Sequence, residues 1–190
     1  MKMQKGIPAG IIDGGTEFFT APGINGPELM AFHGSKIYSY DDLPGSTKTL
    51  VYVHMKSQPM VDAELTKMVG NDEVAKLKQF IMCRFGAMNS EADVTSCGKM
   101  SEPEYVPCLN RGNCKFEGRV CASITVNNGL PLSKSESAVF KLIHLPAKDI
   151  AERLFVSLET IKSHINNIRI KTGLANKTEM AVWATKHGVI

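Results

Sequence analysis

What this chain lacks narrows its chemistry first. No stretch reaches the ~18 continuous apolar residues that a membrane span requires, and no apolar run follows residues 1–5. A protein of the cytoplasm with no membrane partner is therefore expected. Glycine-rich phosphate loops, a nucleophile elbow and paired catalytic carboxylates are missing, which removes the common routes to catalysis. No enzyme is expected. The five histidines show no His-x-x-x-His spacing; His33 and His54 lie in reach of Asp41, Asp42 or Glu64 only if the fold brings them together, and both read as solvated or structural. Cys-x-x-Cys is also absent, and the cysteine count is five, an odd number that argues for reduced thiols over a closed disulfide framework. Finally, no acid follows Glu159 until Glu179, although the whole chain is nearly balanced in charge at +3.

That last gap belongs to a wider asymmetry. A length of 190 residues with 43% hydrophobic content suffices for one large or two modest cores. From Leu132 onward there are 9 Lys and Arg against 5 Asp and Glu, whereas the rest of the chain has 13 against 14. The positive excess sits in the C-terminal third. The composition changes at the turn-rich stretch Asn127-Asn128-Gly129-Leu130-Pro131. The expected organisation is an α+β domain over residues 1–127, a linker at 128–131 and an all-α four-helix domain over 132–190.

Each expected C-terminal helix has a local start signal. Ser133 with Glu136 three residues on is a capping box, followed by an apolar face of Val139, Phe140, Leu142 and Ile143. Pro146 suits the start of a helix over Ala147–Leu154, because its missing N–H would go unpaired there anyway. Ser157 is a good N-cap for the third helix, Glu159 complements its dipole, and Gly173 stops it. Asn176 and Glu179 repeat the start signal for the fourth.

On the third helix, Leu158, Ile161, Ile165 and Ile168 recur at three- and four-residue intervals and mark the buried side. Lys162, Ser163, Asn166 and Arg169 then point away from it, and Ile170 joins them on the outward side. His164, beside the apolar face, reads as a half-buried packing residue. Two short helices joined by a tight turn, the second presenting cations and amides, form a helix-turn-helix suited to the DNA major groove. Lysine can bond guanine O6 and N7, and asparagine can bond adenine N6 and N7. Acids there would repel the phosphate backbone.

The run Asp149-Ile150-Ala151, Val156-Ser157, Thr160-Ile161-Lys162-Ser163-His164-Ile165, Asn167-Ile168, Lys171, Gly173-Leu174 and Asn176-Lys177-Thr178-Glu179 resembles the LuxR/GerE (NarL-type) DNA-binding domain of bacterial transcription regulators. The resemblance implies a four-helix domain that binds DNA as a dimer, its third helix in the major groove and its fourth near the two-fold axis. Carried over by position, Lys162, Ser163 and Asn166 reach base edges, while Thr160 and Lys171 help position the backbone. The chain departs from the family pattern at Leu145-Pro146, where a glycine is common, and at Ile170, where a polar or basic residue is usual.

The N-terminal part is less regular. Residues 31–38 read as a hairpin turning at Gly34, residues 50–55 have strand composition, and helices are predicted over residues 60–68 and 71–85, with Cys83 in the core. The acidic cluster and regular βα alternation of a phosphorylated receiver are missing. Residues 97–121 gather Cys97, Cys108, Cys114 and Cys121 in a loop-rich stretch with Gly98, Pro103, Pro107, Gly112 and Gly118. Four thiolates match the tetrahedral demand of a structural zinc ion, and an iron–sulfur cluster would use the same ligands. Plain thiols or reversible disulfides are the other readings.

The expected function is a sequence-specific transcription regulator bound to double-stranded DNA as a homodimer, with an N-terminal domain that senses a signal or contacts a partner. One alternative is a metal-stabilised interaction module docking on RNA polymerase or another protein; another is an iron–sulfur redox sensor.

Overall fold

The computed structural model describes residues 10–11, 14–24, 26–89, 91–111, 113–126 and 129–190. Asn127 and Asn128 of the expected linker lie outside the described residues, as does Gly112 of the cysteine-rich stretch. The chain divides into two compact units: one holds the chain up to Cys108 with Arg119–Ala122, the other Leu109–Gly118 and Ser123–Ile190. The second unit thus takes in residues well ahead of 128–131.

The first unit opens with three antiparallel strands in sequence order, β1 (Thr16–Gly23), β2 (Gly26–His33) and β3 (Lys36–Ser39). Their register runs from Thr16 opposite His33 to Gly23 opposite Gly26, and from Met30 opposite Ser39 to His33 opposite Lys36. The β2–β3 turn falls at Gly34 as expected. Gly34 and Ser35 both take the left-handed region, at φ 54° and 66°, the backbone that a two-residue hairpin turn demands. Ser35 is held there by its N–H donating to Gly10 O at 3.0 Å and its hydroxyl donating to Ile11 O at 2.6 Å.

Residues 50–55 are not a strand. They lie in α1 (Gly45–Lys56), which buries Thr47, Val51 and Met55, four residues apart, and leaves Val53 exposed. A strand would bury alternate residues, so here tertiary packing overrides β-rich composition. Helices α2 (Pro59–Val69) and α3 (Glu73–Arg84) follow close to the predicted bounds; Pro59 opens the first, and Asp72 caps the second by accepting from Val74 N and Ala75 N. Leu65, Leu77, Phe80, Ile81 and Phe85 fill the core beside Phe18, each side chain contributing about 1.5–3 kcal/mol on burial. Cys83 is half-buried and accepts from Gln79 Nε2 rather than filling that core.

The second unit carries α4 (Lys134–Lys141), α5 (Ala147–Leu154), α6 (Leu158–Thr172) and α7 (Lys177–Lys186). Its core includes Ile124, Val126, Leu132, Phe140, Ile143, Ile150, Ile161, Ile168 and Met180, all buried. Leu132 N donates to Ile124 O at 2.9 Å, so part of the segment ahead of α4 is built into this core. No helix among the described residues is long and apolar enough to cross a membrane.

Candidate nucleic-acid interface

The sharp bend that makes α5 and α6 a helix pair is set by three residues. Phe155 ends α5 in the left-handed region at φ 55°, Val156 N–H reaches back to Ala151 O at 3.1 Å, and Ser157 Oγ accepts from Thr160 N at 3.1 Å to start α6. A non-glycine residue in that conformation closes the helix with the usual reversed cap geometry. Phe155 is 95% exposed. No local sequence pattern announced this. On the far side, Gly173 ends α6 at φ 70°.

Helix α6 is anchored on one side and open on the other. Ile161, Ile168 and Thr172 are buried, and His164 and Ile165 are half-buried. Leu158, expected on the buried side, is exposed instead. It occupies the first helical position, where the periodic stripe has run past the underlying packing. Lys162, Ser163, Asn166, Arg169 and Ile170 are exposed, Ile170 to 68%. These side chains are organised along the helix: Lys162 Nζ lies 2.8 Å from Glu159 Oε1, and Arg169 Nη2 donates to Asn166 Oδ1 at 3.2 Å. The second contact leaves the Asn166 amide able both to donate and to accept once more.

Both expected DNA-backbone residues already have partners within the domain. Thr160 Oγ1 lies 2.8 Å from the capping hydroxyl of Ser157. Lys171 Nζ bonds Glu136 Oε2 at 2.7 Å, and Glu136 is almost fully buried. That same carboxylate accepts from Ser133 N at 2.7 Å and completes the capping box of α4. Burial pushes Glu136 up, but the Lys171 ammonium and the Ser133 donors outweigh it and hold the carboxyl below its usual range. The C-terminal turn of α6 receives a second clamp, since Leu130 N donates to Lys171 O at 3.2 Å. Gly129 makes that approach possible: a Cβ there would lie 2.1 Å from Lys171 O.

Helix α7 is tied back by Lys177, whose ammonium donates to Leu145 O. Its other side shows Val182 exposed, with Trp183 stacked on His187 at 3.9 Å between ring centroids. His187 Nδ1 lies 2.8 Å from Trp183 O, which places the proton on that nitrogen.

Residues 130–184 match the family model for bacterial regulatory proteins of the luxR family. This segment is a LuxR-family helix-turn-helix domain. Relatives of the chain include the transcriptional regulatory protein LiaR of Bacillus subtilis, 25% identical over 137 residues covering 66% of this chain and 62% of LiaR. The uncharacterised transcriptional regulatory protein YxjL of the same organism is 36% identical over 62 residues, 32% of this chain and 28% of YxjL. The oxygen regulatory protein NreC of Staphylococcus aureus is 42% identical over 57 residues, 29% of this chain and 26% of NreC. The chain therefore spans from about a quarter to 62% of the length of these relatives. No solved structure matches it. The YxjL and NreC matches, at 62 and 57 residues, are about the length of the LuxR-family segment, while the LiaR match is longer than that segment.

Outside the LuxR-family domain, the four expected ligand cysteines are spread along the loops. Cys97 and Cys108 are exposed, Cys114 and Cys121 half-buried, and all are free thiols. Among the described residues no three His, Cys, Asp or Glu side chains form a group able to hold a metal ion. The hydroxyl of Thr95, 3.1 Å from Cys97 Sγ, draws that thiol below its usual value. The two histidines singled out in the sequence have structural surroundings. His33 Nδ1 lies 2.8 Å from Thr16 Oγ1, while His54 packs against Phe80 and Phe85 and is held low by burial and by Arg84.

A group of carboxylates escaped the sequence reading. Glu17 and Asp93 are buried; Asp93 Oδ2 accepts from Phe18 N and Glu17 Oε1 from Asn89 N, both at 2.7 Å. Glu104 accepts from Ala87 N at 2.7 Å and from Asn89 Nδ2. Burial, then Glu17 and Glu104, push Asp93 well above the carboxylate range, and burial pushes Glu104 up to about 7. Their separation in sequence, 75 residues between Phe18 and Asp93, hides them from any local pattern.

Proposed function

We propose that the chain is a sequence-specific DNA-binding transcription regulator whose α6 enters the major groove. One observation carries the reading: a helix pinned at its base by Ile161 and Ile168 exposes Lys162, Ser163, Asn166 and Arg169 together on its free side. The pinned side fixes the orientation of the free one, which is what base reading requires. In this reading Lys162, Ser163 and Asn166 meet base edges, and Thr160 and Arg169 hold phosphates. Lys171, paired with Glu136, acts by setting α6 against α4. The LuxR-family match over residues 130–184 supports the same function.

Two copies bind, with the exposed face of α7 around Val182 and Trp183 between them. Val182→Glu is expected to abolish dimers in sedimentation on a two-half-site duplex while leaving the helical content unchanged. The sheet-bearing unit receives a signal or a partner.

The deciding experiment is selection of a binding site from a random duplex library, followed by anisotropy titration with the wild type, Lys162→Ala and Asn166→Ala. Both variants are expected to lose affinity for the selected site and keep their fold; equal affinity would sink the assignment. Binding should weaken steeply with salt as counterions are released. Salt-insensitive binding, or none, would favour the interaction module instead. Elemental analysis of protein purified without added metal tests the remaining proposal of a resident metal. About one zinc per chain, lost on replacing Cys108 and Cys114 with Ser, would make residues 97–121 a ligand loop.

A further inference from the structure

The outward side of α6 runs through Glu159, Ser163, Asn166 and Ile170, at intervals of four, three and four residues, opposite the buried Ile161, Ile168 and Thr172. One member of that stripe is an acid, where attraction to phosphate would favour any other residue type. The Glu159 side chain is 78% exposed, and Lys162 Nζ holds its Oε1 at 2.8 Å. Residues three apart on a helix are neighbours, so the pair braces the carboxylate above the first turn.

Two consequences follow from this placement. Toward a duplex of random sequence, the carboxylate offsets the charge of Lys162, and that lysine contributes little to counterion release. Toward a base pair, Lys162 takes Oε1 and Oε2 can accept a hydrogen bond. In the major groove only cytosine N4 and adenine N6 donate, and adenine sets the acceptor N7 beside N6, which repels a carboxylate. Cytosine is the base that fits.

We infer that Glu159 is a specificity-determining residue, accepting from a cytosine N4 amino group and so setting a C·G preference at one base pair of the site while weakening binding elsewhere. This inference rests on the proposal that α6 enters the major groove.

The test is site selection from a random duplex library by the full chain and by Glu159→Gln, then anisotropy titration of both on selected and random duplexes at several salt concentrations. Glutamine pairs with adenine through N6 and N7, so the variant's consensus should change from C·G to A·T at one position and stay the same elsewhere. Replacing that C·G pair should cost the wild type about tenfold in affinity and the variant nothing. On random duplex the variant should bind about fivefold more tightly, with a salt slope steeper by about 0.9. An unchanged consensus, with or without a drop in thermal stability, would make Glu159 a helix-dipole residue and overturn the inference while the major-groove proposal stands. A wild type without sequence preference would overturn both.

Discussion

In the unit built on the three-stranded sheet, charged side chains turn inward or lock into networks. Lys76, only 4% exposed, bonds Asp62 at 2.9 Å and Glu73 at 2.5 Å, and Lys56 bonds the same two acids at 2.9 and 2.7 Å, joining α1, α2 and α3. Asp93 and Glu17 lie buried and Glu104 half-buried, each accepting from a backbone donor. In the LuxR-family domain the balance is reversed: Glu159, Lys162, Asn166 and Arg169 stand in solvent, while Lys171 pairs with the nearly buried Glu136. The contrast separates two uses of charge. Buried groups must be matched within the chain because desolvation is costly, whereas exposed ones add little stability.

Breaking the outward set should have the largest effect, and on binding alone. Lys162→Ala combined with Asn166→Ala is expected to lower affinity for the selected site about a hundredfold, since each base contact is worth about 1–3 kcal/mol. Thermal unfolding should not move; a large loss of stability would show that these residues support the fold.

The inward set should respond to pH, in opposite directions in the two units. A carboxyl raised in the folded state favours folding when protonated, so that stabilisation is present in acid and is lost as pH rises toward and through about 7 for Glu104. Hydrogen exchange of β1 and residues 86–104 should report weakening on the order of 3 kcal/mol between pH 5 and pH 8, and Glu104→Gln should flatten it. An unchanged slope in that variant would remove Glu104 from the account. Glu136, held low, contributes stability above the ordinary glutamate range that is lost as pH falls through its folded value. The helices α4 and α6 should therefore loosen only in acid.

Lys171 sharpens the comparison because it lies on the helix proposed to bind DNA yet pairs with the buried Glu136. Lys171→Met is expected to destabilise the helical domain by about 1–3 kcal/mol through the carboxylate it leaves behind, with no change in the salt slope of DNA binding. A slope shallower by about 0.9 would instead make it a phosphate contact. The smallest effect concerns Cys97. It should be alkylated ahead of Cys83, Cys114 and Cys121 in the native protein, and Thr95→Val should slow it severalfold, as expected when a thiolate loses its hydrogen bond. Equal rates in the two proteins would contradict the role of Thr95.

Legibility differed along the chain for physical reasons. Ser133, Ser157 and Asn176 each accept from a backbone N–H three residues on, so each start could be read from four consecutive residues. The run around Val51, Tyr52 and Val53 could not, because its burial in α1 is decided by what packs on it. Leu158 misled for the converse reason: periodicity continues to the end of a helix while the neighbouring core does not. Lys171 and Glu136 are 35 residues apart, and nothing near Lys171 distinguishes it from Lys162.

The sequence by itself determined where α4 to α7 begin, which side of α6 is apolar and which side gathers cations and amides. Those properties come from hydrogen bonds and side-chain spacing within a turn or two of helix. Only the tertiary structure decided that Lys171 turns inward, that Gly129 must lack a side chain against Lys171 O, that residues 50–55 are helical and that Asp93 is buried beside Glu17 and Glu104. Each of these depends on a partner distant in the chain, and the cost of burying a charge or closing a gap exists only once that partner has arrived.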